Sequence, residues 1–311
     1  MKSTILQRCK LLLLGCIAFG FSASVQAQNL NETEVTAQRS ESSKTFRQSN
    51  GSYRAQIFSS PVHFADENGQ WKDIDPRLQP SPNPAYAFEN TANTTRSFFP
   101  KTLQANGVKI ETAEGAFEMG NRFEFTLDMK ADAVPGLEAI TVDLNQAEAQ
   151  LADGNKVRYD GGHPLGYVEY LVQRNQVKQQ FILKQLPAGA MSSSAKYFSM
   201  SETFALPQGW SLLADGEAVT GSATTSGALQ IQNAEGKVVG GIPLPEIFEQ
   251  QANGELLFPN GAMDHSYFIQ RAPGTNEYLI KILIPMNWLR APGRSFPIVI
   301  DPNTVISGTW G

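Results

Sequence analysis

The chain has 311 residues, with 25 Lys and Arg against 30 Asp and Glu, for a formal net charge of −5 at pH 7. That length is ample for a sizeable buried core. The charge is mixed and contains no basic run, which argues against nucleic acid as a partner and against an anionic membrane surface.

In chain order, Lys2, Arg8 and Lys10 precede an apolar run from Leu11 to Ala23, the form of a signal-peptide core. Val25-Gln26-Ala27 places small residues where a signal peptidase reads, so residues 1–27 are expected to be removed before Gln28. The run falls short of the roughly twenty apolar residues a membrane span needs. Leu13-Leu14-Gly15-Cys16 also has the form of a lipoprotein box, but cutting there leaves only Leu11 to Leu14 as the apolar core, a poor signal. The two cysteines, Cys9 and Cys16, both lie in this segment. The mature chain therefore has no disulfide, thiol nucleophile or Cys-ligated metal.

Residues 28–48 are polar, rich in Ser, Thr, Gln and Glu, and are read as a flexible leader. Residues 49–311 read as an all-β region. Tyr53, Ala55 and Ile57 alternate with Arg54, Gln56 and Phe58. Phe123, Phe125 and Leu127 alternate with polar residues, and Val177, Gln179, Phe181 and Leu183 share a face opposite Lys178 and Lys184. Tyr278, Ile280, Ile282 and Ile284 are the clearest case. A period of two marks strands with one wet side. Asn-Gly at 50, 68, 106, 253 and 260 and Asp-Gly at 153, 160 and 215 supply hairpin turns. Asn145 to Ala152 is the one candidate for two helical turns. Residues 131–136, with Pro135, form a candidate lobe boundary; 77–93 and 187–194 read as loops. No repeat of fixed period is present. The expected fold is all-β: an antiparallel sandwich, or two packed sandwich-like lobes.

Ser52-Tyr53-Arg54-Ala55-Gln56-Ile57-Phe58-Ser59, Pro61-Val62-His63-Phe64 and Asn68-Gly69-Gln70-Trp71-Lys72-Asp73-Ile74-Asp75 make a recognisable opening. Trp288-Leu289, Arg294 and Phe296-Pro297-Ile298-Val299-Ile300-Asp301-Pro302 make a matching close. Over about residues 46 to 304 the chain resembles the β-rich N-terminal region of large secreted bacterial proteins with YD (Rhs-type) repeats or DNRLRE-type domains. The resemblance implies a non-catalytic structural or interaction module of an exported protein, at the cell surface or secreted, with an unidentified protein or glycan partner.

The candidate site residues do not assemble a motif. His63, His163 and His265 are far apart, with no metal-ligand spacing. No Gly-x-Ser-x-Gly elbow occurs. Asp66-Glu67-Asn68-Gly69 faintly resembles the start of a calcium loop but is explained by a hairpin turn. Glu138, Asp143, Glu169 and Glu202 are available as glycosidase-type carboxylates, whose pairing is spatial. Trp71, Trp210, Trp288 and Trp310, with Tyr86, Tyr159, Tyr167 and Tyr170, suit sugar stacking if exposed, though Trp71 and Trp288 are expected in the core. Asp75 and Asp301 each precede a proline and are read as closing Asx turns at strand exits. The sequence thus points to no enzyme, with no catalytic, cofactor or metal residues. A carbohydrate-binding sandwich or a glycosidase-type hydrolase stand as the alternatives.

Overall fold

The computed structural model describes residues 32–104, 106–128, 144, 146–258, 264–301 and 303–305. Its architecture is all-β, as the alternation predicts, and every strand pair it records is antiparallel. Among the described residues two large sheets dominate. One, of nine strands, runs Ser222–Thr225, Ser266–Arg271, Glu277–Pro285, Tyr197–Ala205, Ala116–Asp128, Val108–Glu111, Arg96–Pro100, Tyr86–Asn90 and Gln79–Pro80. The other, of twelve, is centred on Gly166–Val172 and Gln176–Leu183, and branches where Gln176–Leu183 pairs both Ile298–Asp301 and Asn303–Val305.

Alternation explains the stacking. On Gln176–Leu183, Val177, Gln179, Phe181 and Leu183 are buried while Lys178 and Gln180 are half-exposed. On Glu277–Pro285, Tyr278, Ile280, Ile282 and Ile284 are buried. One continuous buried cluster joins these faces, from Phe99, Ile110 and Phe204 of the first sheet to Tyr159, Tyr170 and Phe181 of the second. Phe99 meets Tyr170 at 5.8 Å between ring centroids, and the Tyr159 hydroxyl donates to the Pro100 carbonyl at 2.7 Å. Burying that hydroxyl requires such a partner.

Two small sheets lie outside this sandwich. β1 (Thr33–Glu34), β2 (Ser43–Arg47) and β3 (Tyr53–Ile57) form one, and β4 (His63–Ala65) pairs β5 (Trp71–Asp73) in the other. The described part of the polar leader is therefore strand, with a 3₁₀ turn at Thr36–Gln38. Backbone pairing and ion pairs hold it in place of apolar burial. Likewise Ala149–Asp153 is a strand paired with Lys156–Tyr159, not the end of a helix. The Asp215-Gly216 turn behaves as expected, both residues at positive φ (51° and 83°) between Ser211–Ala214 and Glu217–Ala218. Residues 1–27, the 131–136 boundary, Glu138, Asp143 and Trp310 fall outside the described residues. No helix among the described residues is long and apolar enough to cross a membrane.

Candidate functional site

A group of ionisable side chains gathers where β1, β2, β4 and β5 meet. β4 is three residues long, and its first, His63, is fully buried. The backbone N–H groups of Val62 and His63 both donate to the Glu41 carbonyl, fixing β4 beneath β2. The ring Nδ1 lies 2.6 Å from the Ser40 carbonyl oxygen, a partner that only accepts, so Nδ1 carries the proton. Nε2 then has no hydrogen-bond partner and faces Asp73 Oδ1 at 3.6 Å and Glu34 Oε1 at 3.9 Å.

Those two carboxylates are held by cations. Arg39 Nε donates to Glu34 at 2.8 Å, and its Nη2 reaches both Glu34 and Asp73 at 2.9 Å. The Lys44 ammonium donates to Asp73. The Arg39 guanidinium holds the Glu34 carboxyl below its ordinary value, and Lys44 does the same for Asp73. Glu34 in turn raises Arg39. Arg39 and Lys44 are largely covered, whereas the Asp73 side chain is 53% exposed and is the solvent-facing member. Beside His63 opens a groove of about 990 Å³ walled by Phe64, Asp66, Glu67, Trp71, Glu89 and Arg96. An imidazole whose Nε2 is unpartnered, set behind two cation-held carboxylates of which Asp73 faces solvent, brings together groups of the kind used in acid–base chemistry.

The other sequence candidates are placed elsewhere. His163 Nδ1 accepts from the Leu165 N–H, and burial followed by Lys184 lowers its pKa; His265 Nε2 lies 2.8 Å from the Pro245 carbonyl. Asp66 accepts the N–H groups of Asn68 and Gln70, both at 2.9 Å, which is the expected turn. Glu169 is paired with Arg158 and Lys156. Glu202 lies between the two sheets, accepting from Gln179 at 2.8 Å, and burial pushes its pKa up to about 7. Among the described residues no group of three or more His, Cys, Asp and Glu side chains is arranged to hold a metal.

Trp288 is buried, but Trp71, expected in the core, is 36% exposed at the groove. β5 sits in a two-stranded sheet, and all three of its residues are exposed. Asp75 accepts the Arg77 N–H at 3.1 Å, the expected Asx turn. Asp301 differs: it is buried, and its carboxylate takes Lys178 Nζ at 2.5 Å and Gln180 at 3.2 Å across to the neighbouring strand. Glu34, Arg39, Lys44 and Asp73 were not candidates from sequence. Glu34, Arg39 and Lys44 belong to the polar leader and Asp73 to the opening motif, and no spacing in either segment singles them out.

Comparison with known proteins returns three relatives. The chain is 24% identical over 279 residues to the tRNA3(Ser)-specific nuclease WapA of Bacillus spizizenii. The same identity and length hold for the tRNA(Glu)-specific nuclease WapA of Bacillus subtilis subsp. natto and the tRNA nuclease WapA of Bacillus subtilis. Each alignment covers 89% of this chain and 10% of the relative, so the chain spans about a tenth of the length of the curated relatives it matches. No family model and no solved structure matches. These names correct the sequence-based reading. The relatives are WapA proteins, not the YD-repeat/Rhs or DNRLRE-type proteins the end motifs suggested. They are named as enzymes, which overturns the non-catalytic module, its sugar-binding and glycosidase alternatives and the cell-surface description. They are named for tRNA, which overturns the exclusion of nucleic acid. That exclusion rests on the modest, mixed charge and the absence of a basic run.

Proposed function

We propose that this chain serves tRNA cleavage, as an exported protein related to the WapA nucleases, with the His63 cluster supplying acid–base groups. The observation that carries the reading is the similarity, along 89% of the chain, to three proteins named as tRNA nucleases. Export is supported by the signal-like segment ahead of Gln28. The chemistry of the cluster is compatible. Cleavage of a ribose phosphodiester needs a proton moved off the attacking oxygen and charge on the phosphorus oxygens neutralised. Asp73 is the solvent-facing carboxylate placed to take that proton, and the buried imidazole stands behind it with Nε2 3.6 Å from Asp73 Oδ1. Lys44 and Arg39 are the adjacent cations, and Arg96 is the cation on the groove wall. The acidic side chains of that wall, Asp66, Glu67 and Glu89, would repel a phosphate. Incubating the chain with total tRNA and, separately, with DNA of similar length tests the reading on denaturing gels. Cleavage of tRNA alone is expected; intact tRNA after prolonged incubation overturns it.

A further inference from the structure

Among the described residues, β3 is the free edge of the three-stranded sheet β1-β2-β3. All five of its residues are exposed, Tyr53 by 60% and Ile57 by 81%. Two backbone bonds bracket its pairing with β2: Gln48 N–H donates to the Ser52 carbonyl at 2.9 Å, and Phe58 N–H to the Ser42 carbonyl at 2.8 Å. Alternate residues of an antiparallel strand address the same neighbour. Ser52, Arg54, Gln56 and Phe58 therefore turn their backbone groups to β2. Tyr53, Ala55 and Ile57 turn theirs outward. Natural edges are blunted by proline, inward charge, a bulge or a covering element. β3 has no proline and an unbroken register with β2. Its one charge, Arg54, is drawn back over the Phe46 ring at 4.8 Å and bonded to Glu32.

We infer that β3 is a strand-addition site and that its occupant is a second copy of the chain, paired antiparallel about Ala55. Only that two-fold register uses all three outward-facing residues. Ala55 meets Ala55 of the second copy, and Tyr53 meets Ile57 of the second copy on both sides of the axis, each pair exchanging two backbone bonds. The aromatic–β-branched pairs cover the exposed Tyr53 and Ile57 on one face. On the other face Arg54 lies opposite Gln56 of the second copy. Sliding the register by one step sets Arg54 against Arg54 of the second copy, which like-charge repulsion disfavours. Charge thus disfavours one of the two neighbouring registers; the other sets Gln56 against Gln56 of the second copy and leaves Tyr53 with no residue of β3 opposite it.

Light scattering on the full chain over a wide concentration series tests this. A monomer–dimer equilibrium is expected. Ala55→Pro removes only an outward N–H, which an edge strand tolerates, so it should give a monomer with unchanged melting. Gln56→Arg places like charges opposite Arg54 at both sides of the axis and should weaken the dimer roughly fivefold; Gln56→Glu should tighten it by a similar factor. A wild-type chain that stays monomeric throughout overturns the inference, as would happen if another segment covered the edge. So does a dimer indifferent to both Ala55→Pro and Gln56→Arg.

Discussion

Replacing Glu202 with glutamine should remove a pH dependence from the stability of the whole sandwich. The Glu202 carboxyl faces Gln179 and Tyr170 of the opposite sheet, and Tyr267 lies on a neighbouring strand of its own sheet but one. Burial raises its pKa from 4.5 to about 7, against a smaller lowering by the Gln179 amide. Burial also raises both tyrosine hydroxyls, and the charge of Glu202 adds to each shift. A raised folded-state value means that the folded chain binds this proton more tightly than the unfolded one. The stabilisation is complete below pH 4.5, the unfolded value, and is lost as pH rises through about 7. With about 1.4 kcal/mol per unit, the shift corresponds to about 3 kcal/mol lost by pH 8. Glutamine is neutral throughout and keeps an oxygen for the Gln179 amide to donate to. Denaturant unfolding followed by tryptophan fluorescence at pH 5 and pH 8 gives the difference. Glu202→Gln should match the wild type at pH 5 and exceed it by about 2 to 3 kcal/mol at pH 8. Parallel pH profiles for the two proteins would refute the argument that Glu202 is desolvated between the sheets.

Asp301→Asn should destabilise by about 3 kcal/mol in thermal unfolding, because it leaves Lys178 without its buried counter-charge; a neutral result would restore the simple Asx-turn reading. Tyr159→Phe should cost about 1 to 2 kcal/mol, the worth of a buried hydrogen bond whose acceptor, the Pro100 carbonyl, is left unpaired. Gly166→Ala should fold poorly, since an added Cβ would lie 2.2 Å from the Ile182 carbonyl oxygen in the paired strand. Circular dichroism and yield of soluble protein read that outcome, and a native-like spectrum would contradict it.

The sandwich was legible because its inner strands obey one rule: Tyr278, Ile280, Ile282 and Ile284 recur at a period of two and are buried. Asp215-Gly216 was legible for a local reason, since it supplies the positive φ angles its turn requires. Segments held by polar contacts were not legible. β2 buries little and is fixed by bonds such as Lys44 to Asp73, formed between residues 29 positions apart. No propensity or periodicity encodes that. β3 alternates as cleanly as a core strand, yet both of its faces are wet, because alternation reports a preference for one face and not the presence of a layer to cover it. Trp71 misled for the same reason. The candidate site is assembled from four short segments, and Glu34, Arg39, His63 and Asp73 share no spacing that a motif could capture. Function was the least legible of all: a modest charge without a basic run points away from nucleic acid, whereas the relatives are named for tRNA.

The proposed tRNA cleavage and the part of the His63 cluster in it are tested most directly by the rate of tRNA loss for wild type and His63→Asn under identical conditions. Asparagine keeps a donor for the Ser40 carbonyl in place of Nδ1 but has no counterpart to Nε2. A tRNA-cleaving wild type and a folded variant slowed by about a hundredfold or more, the usual contribution of a proton-transferring side chain, are expected. A wild type that leaves tRNA intact, or equal rates for the two proteins, would contradict the proposal.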